Sequence, residues 1–169
     1  SAASLVDLGC RYVLLGHSER RQYLGESCRQ INLKLKAVLQ TKKLTPIICL
    51  GESLKQRQAK QTRHVLAGQL QRSLAGVKTK QLIIIAYEPL WAIGSGQVIK
   101  PAAAELVHQQ IKELLGKILG RAANYLVIYG GSVGAGQAGQ LLALPNVDGL
   151  LVGGASLKAP EFYKIASVK

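Results

Sequence analysis

The chain has 169 residues and a formal net charge of +13, from 22 Lys and Arg against 9 Asp and Glu. With 48% hydrophobic residues it has material for one ordinary core, which excludes a disordered chain. No apolar run approaches the roughly 18 residues of a membrane span, and the opening SAASLVDLGC lacks the basic and apolar regions of a signal peptide. Cys10, Cys28 and Cys49 are odd in number and show no C-x-x-C spacing. That argues against a disulfide framework or a zinc site and for a reducing cytoplasm. The charge permits two readings. A basic chain can bind nucleic acid. Here the Lys and Arg are scattered through helical segments without interleaved aromatics. The preferred reading is therefore solvated helix faces that mildly steer anionic substrates, with no nucleic-acid partner.

In chain order, the first residues read as the last turns of a helix stopped at Gly9. Tyr12–Leu15 is the first strand candidate, and Gly16-His17-Ser18-Glu19 leads from it into a helix start. Ile31, Leu35, Val38 and Leu39 mark one face of the next helix. Ile47–Leu50 is the second strand, followed by Gly51-Glu52-Ser53. Ser53 with Gln56 forms a capping box that opens a helix running through Val65 and Leu70. Leu82–Tyr87 is the third strand and ends in Glu88-Pro89. Pro101–Leu119 is helical, with Val107, Ile111, Leu114, Leu115 and Ile118 on one stripe and Pro101 suited to the first turn. Leu126–Tyr129, followed by Gly130-Gly131-Ser132, and Gly149–Val152, followed by Gly153-Gly154, complete five strands. None alternates polar with apolar, as expected of parallel strands covered on both faces. The pattern predicts an α/β fold of five parallel β–α units in a single domain over residues 1–169. Each strand is followed at once by polar or glycine residues, and the C-terminal strand ends are where such folds bind ligands.

Four features carry chemistry. Glu88, at the mouth of an apolar strand, is placed to have a raised pKa and to act as a general base; the alternative is a structural ion pair with an arginine. His17 sits at a helix start, whose positive end favours the neutral imidazole, able to polarise a carbonyl. His64 and His108 fall within amphipathic helices and read as surface or packing residues. The glycine turns at Gly130-Gly131-Ser132 and Gly153-Gly154-Ala155-Ser156 can present backbone N–H groups to a phosphate. The apolar run Pro89, Leu90, Trp91, Ala92, Ile93, Gly94, Ser95 and Gly96 suits a lid that excludes water, or else a packed surface loop.

Together these segments resemble the triosephosphate isomerase family. Tyr12 to Arg21 is similar to the segment bearing the family's electrophilic histidine, and Leu44 to Glu52 to the strand after it. Ala86 to Gly94 is similar to the catalytic glutamate and mobile lid. Tyr129 to Val133 and Leu151 to Leu157 are similar to the two phosphate-gripping turns. The resemblance implies a (β/α)₈ TIM barrel, here incomplete, with units matching the fourth to the eighth. It implies interconversion of dihydroxyacetone phosphate and D-glyceraldehyde 3-phosphate through an enediolate, in glycolysis and gluconeogenesis. Glu88 would move the proton, His17 would bind the carbonyl oxygen, and Glu19 would support the site. Gly94, Ser132, Gly153 and Gly154 would hold the phosphate. No metal or organic cofactor is implied, and the full-length form would be a homodimer. The units supplying the family's catalytic Lys and its dimer loop have no match here, so little activity is expected of this chain alone. Gly96-Gln97-Val98-Ile99-Lys100-Pro101 departs from the usual lid hinge, and Leu24 stands where an aromatic is usual. The alternatives are a non-catalytic phosphate-binding half-barrel or a fragment needing a complementary chain. An aldolase would need a lysine at a strand end, and no strand here ends in one.

Overall fold

The computed structural model describes residues 1–94, 97–120 and 122–168. Four strands, β1 (Tyr12–Leu15), β2 (Thr45–Leu50), β3 (Ile83–Tyr87) and β4 (Tyr125–Tyr129), lie side by side in sequence order and pair in parallel throughout. Helices fill the crossovers that parallel pairing requires. These are α2 (Ser18–Tyr23) and α3 (Cys28–Thr41) after β1, α4 (Leu54–Gln58) and α5 (Thr62–Ser73) after β2, and α6 (Pro101–Leu119) after β3. Then come α7 (Ala135–Leu142) and, near the end of the chain, α8 (Ala159–Ala166). A short α1 (Ala2–Asp7) opens the chain and closes at Gly9, which has φ +79°.

The local signals explain the helix ends. Ser27 and Gln30 form a reciprocal capping box on α3, and Ser53 and Gln56 form another on α4, each satisfying two free N–H groups. Pro101 occupies the first turn of α6, where its missing N–H costs nothing. The helix expected to run from Ser53 through Leu70 is instead two. Lys60 turns left-handed at φ 57°, and the N–H groups of Lys60 and Gln61 bond back to Arg57 and Gln56, closing α4 before α5 begins.

Strand register sorts the core. Leu15, Ile48, Ile85 and Val127 stand in one cross-sheet row and pack under the helices, with Ile31, Leu35, Leu66, Leu70, Ile111 and Leu115. The neighbouring row, Leu14, Ile47, Ile84 and Leu126, points to the other face. The expectation of cover on both faces holds for β3, all of whose residues are buried. It fails at the margins, where Leu14 is 45% and Leu126 38% exposed. No helix of the described residues is long and apolar enough to cross a membrane.

The fifth expected strand, Gly149–Val152, is corrected to a single bridge, Tyr129 to Leu150. The hydrogen bonds of a parallel pair are present on either side of it: Tyr129 N–H donates to Gly149 O at 2.9 Å and Leu151 N–H to Tyr129 O at 2.7 Å. At Val127 the pattern changes hands. Its N–H donates to the Asp148 carboxylate at 2.7 Å, so a side chain replaces the backbone acceptor that would have extended the ladder.

Candidate active site

The C-terminal ends of the strands open into a cavity of about 740 Å³. Its lining includes His17, Glu19, Glu88, Gly94, Ser132, Gly153 and Gly154, so every candidate catalytic or phosphate-binding residue reaches one space. Of the expected lid, Ile93 and Gly94 line the cavity, Pro89 to Ala92 are not among its lining residues, and Ser95 and Gly96 lie outside the described residues. No lysine or arginine is among the described lining residues. No cluster of His, Cys, Asp or Glu among the described residues is suited to a metal ion.

Glu88 follows β3 directly and is 2% exposed. One carboxylate oxygen accepts from the Ser18 N–H at 3.0 Å, and the other lies 3.4 Å from His17 Nε2. Burial pushes its carboxyl above the usual glutamate range. His17, the Cys49 thiol, the Ser18 N–H and Arg21 pull the other way without reversing the shift. The backbone at Glu88 can approach the chain after β2 this closely because Gly51 has no side chain. A Cβ there would stand 1.9 Å from the Glu88 carbonyl oxygen.

His17 is the N-cap of α2. Its Nδ1 accepts from the Glu19 N–H at 3.4 Å, which leaves the proton of a neutral imidazole on Nε2, the nitrogen that faces Glu88. Glu19 contributes that backbone N–H, while its side chain is exposed on the cavity rim. Ser132 N–H and Oγ both donate to Ala92 O, at 3.0 and 2.5 Å, so the first glycine turn grips the root of the expected lid. Gly153 and Gly154 are exposed and open a 3₁₀ turn, Gly154–Leu157. His108 packs inside α6, edge-on to Tyr87 at 5.7 Å, and His64 is exposed, as their helical placement predicts.

Three supporting residues are not among those assigned a role above. Glu52, fully buried after β2, takes Tyr87 Oη at 3.0 Å, Trp91 Nε1 at 3.2 Å and Arg57 Nη1 at 3.3 Å on one oxygen. Its backbone oxygen accepts from Leu90 N–H at 3.1 Å, and Arg57 covers the Trp91 ring at 4.4 Å. A second carboxylate at a strand mouth was the available signal. Arg21 donates to the Gly16 carbonyl at 2.8 Å and the Cys49 carbonyl at 2.9 Å, tying the His17 turn to β2.

Glu26 is the third. It is buried, accepts from the Gly16 N–H at 3.2 Å, and pairs with Arg20 and Lys34. Burial alone would raise its carboxyl, but Lys34 and Arg20 outweigh burial and hold it below its ordinary 4.5. A lowered folded pKa gives stability that is present above the unfolded value and lost as pH falls through the folded one. Glu26→Gln is therefore expected to lose about 1.5–3 kcal/mol at pH 7, the range for hydrogen bonds to a charged group. The gap to the parent should close in acid. Urea titrations at several pH values check this, and a gap independent of pH would remove the ionic part of the argument.

Comparison with known proteins agrees with the geometry. The family model described as triosephosphate isomerase matches residues 1–169. Relatives named triosephosphate isomerase include that of Rhodopirellula baltica, 48% identical over 98% of this chain and 66% of the relative. Those of Chloroflexus aurantiacus and Herpetosiphon aurantiacus are 47% and 48% identical, each over 98% of this chain and 67% of the relative. The chain thus spans about two thirds of the length of the relatives it matches. With a match along its whole length and a buried carboxylate, an imidazole and two glycine turns around one cavity, this chain belongs to the triosephosphate isomerase family.

Proposed function

We propose that these residues are the proton-transferring and phosphate-gripping part of an enzyme that interconverts dihydroxyacetone phosphate and D-glyceraldehyde 3-phosphate. The observation that carries the reading is Glu88. It is a buried carboxylate with a raised pKa, 3.4 Å from a histidine nitrogen, on a cavity whose other wall is two glycine turns. A carboxylate held above the usual glutamate range can remove the proton α to a carbonyl and return it to the neighbouring carbon. His17 Nε2–H would donate to the carbonyl oxygen and to the enediolate that replaces it. Gly94, Gly153 and Gly154 would hold the phosphate, with Ser132 joining them once its N–H and Oγ release the Ala92 carbonyl, and the loop from Pro89 would close over the intermediate and keep water out. Glu19 would keep His17 in the tautomer with its proton on Nε2, through its backbone N–H. The reading takes the four strands and the Leu150 bridge as a contiguous part of an eight-unit barrel. It places the whole enzyme in a reducing cytoplasm, as a homodimer, with a triose phosphate as its small-molecule partner.

The test compares two proteins: the 169-residue polypeptide, and that polypeptide joined to the part of the Rhodopirellula baltica relative that it does not span. Each is incubated with dihydroxyacetone phosphate in deuterated water. The fused protein is expected to form glyceraldehyde 3-phosphate and to place deuterium on the carbon that exchanges. Phosphate binding without exchange in the fused protein would instead favour a non-catalytic phosphate-binding half-barrel.

A further inference from the structure

Cys28 lies outside the cavity, in the first turn of α3, and the proposed chemistry does not use it. Its side chain is half-buried and can be reached from solvent. Arg21 approaches from α2. Two of its nitrogens are held by the Gly16 and Cys49 carbonyls, and the third, Nη1, donates to Cys28 Sγ at 3.5 Å. The guanidinium is thus fixed with one N–H directed at sulfur. From α5 come Arg72 and Ser73, both acting on the same sulfur. Ser73 is 1% exposed, and its hydroxyl has no hydrogen-bond partner among the described residues. A buried donor of this kind calls for an acceptor, and a deprotonated Cys28 sulfur supplies one. Arg29, next in the chain, is exposed beside the site. Glu26, two residues before Cys28 in the chain, is already engaged by Arg20 and Lys34. Cys28 is also the first residue of a helix, where free N–H groups favour an anion. Burial by itself would raise the thiol's pKa. The Arg21 hydrogen bond and charge, with Ser73 and Arg72 close to the sulfur, bring it below the usual thiol value instead.

We propose that Cys28 is a modification site that exchanges with small disulfides carrying carboxylate groups. The Cys28 proton passes to solvent, and the sulfur attacks one sulfur of the reagent. A new S–S bond forms, the reagent's own S–S bond breaks, and its second half leaves as a thiolate. The disulfide is itself the oxidant, so no further reactant is needed. Its carboxylates would meet Arg21, Arg29 and Arg72.

The other two cysteines are internal controls. Cys10 is exposed. Cys49 is buried, and burial pushes its thiol up. The whole chain is treated at neutral pH with 5,5′-dithiobis(2-nitrobenzoate), which carries two carboxylates, and separately with the neutral 2,2′-dithiodipyridine. Adducts are mapped over time by peptide mass spectrometry. With the anionic reagent, Cys28 is expected to react about tenfold faster than the more exposed Cys10, and the advantage should shrink with the neutral one. Arg72 is exposed, so Arg72→Gln should fold. It is expected to slow Cys28 several-fold and leave Cys10 unchanged, with Arg72→Lys restoring part of the rate. Cys10 reacting as fast as Cys28 with the anionic reagent would overturn the proposal, as would an Arg72→Gln protein with an unchanged Cys28 rate.

Discussion

Glu88→Gln, placed in the fused protein, is expected to lower kcat by about 10²–10⁴, the usual contribution of a positioned general base, while KM changes little. The substitution keeps the shape of the side chain and an oxygen able to accept from Ser18 N–H, whose bond to Glu88 is 3.0 Å. What disappears is the capacity to hold a proton at the reacting carbon. That capacity matters only as the proton moves, so its loss falls on the transition state rather than on binding. The phosphate contacts assigned to Ser132, Gly153 and Gly154 are untouched. Steady-state kinetics in both directions provide the measurement. Turnover near the parent's would take the base role away from Glu88. A raised KM with kcat intact would make Glu88 a binding residue.

The 169-residue polypeptide made alone is expected to associate and to turn over about 10²–10³-fold more slowly than the fused protein, which corresponds to one missing charge-stabilising group. The slower turnover follows from the cavity. Its described lining holds no lysine or arginine, while the proposed intermediate adds a negative charge beside a phosphate dianion. His17 Nε2 can donate a hydrogen bond, but an imidazole is not the fixed charge that a lysine carries. Association follows from the sheet. β1 is its first strand and has no neighbour on its outer side among the described residues. Leu14 and Leu126 stand open on the face away from the helices. An unpaired strand edge beside an apolar face is a template for another chain. Light scattering should therefore give a mass above the 18.1 kDa of one chain. A monodisperse monomer with the turnover of the fused protein would refute both arguments together.

Much of the fold could be read from local pattern. β3 is apolar from end to end because both its faces are covered, and such a run announces itself. The capping boxes at Ser27 and Ser53 and the proline of α6 fix helix starts through contacts only three residues long. The candidate site residues were legible because His17 and Glu88 follow strands closely and because the motifs resemble one family. What was not legible depends on distant partners. Asp148 takes the N–H of Val127 and so shortens the fifth strand, a bond between residues 21 apart. Lys60 breaks a helix with a left-handed turn that its residue type does not favour. Glu52, Arg21 and Glu26 act through groups on other elements, and nothing in their immediate neighbours assigns those roles.

The Glu52 oxygen that collects Tyr87, Trp91 and Arg57 also bears on how the loop after Glu88 can move. Leu90 is tied to the Glu52 backbone, Trp91 to the Glu52 side chain, and Ala92 to both the nitrogen and the hydroxyl of Ser132. Three successive residues are thus pinned to two different strand ends. A swing that included Ala92 would have to break both Ser132 bonds at once, whereas one that pivots after Ala92 breaks neither. For the proposed lid, Leu90 to Ala92 would thus be an anchored root, and closure would have to release the Ala92 carbonyl before Ser132 could turn its donors to the phosphate.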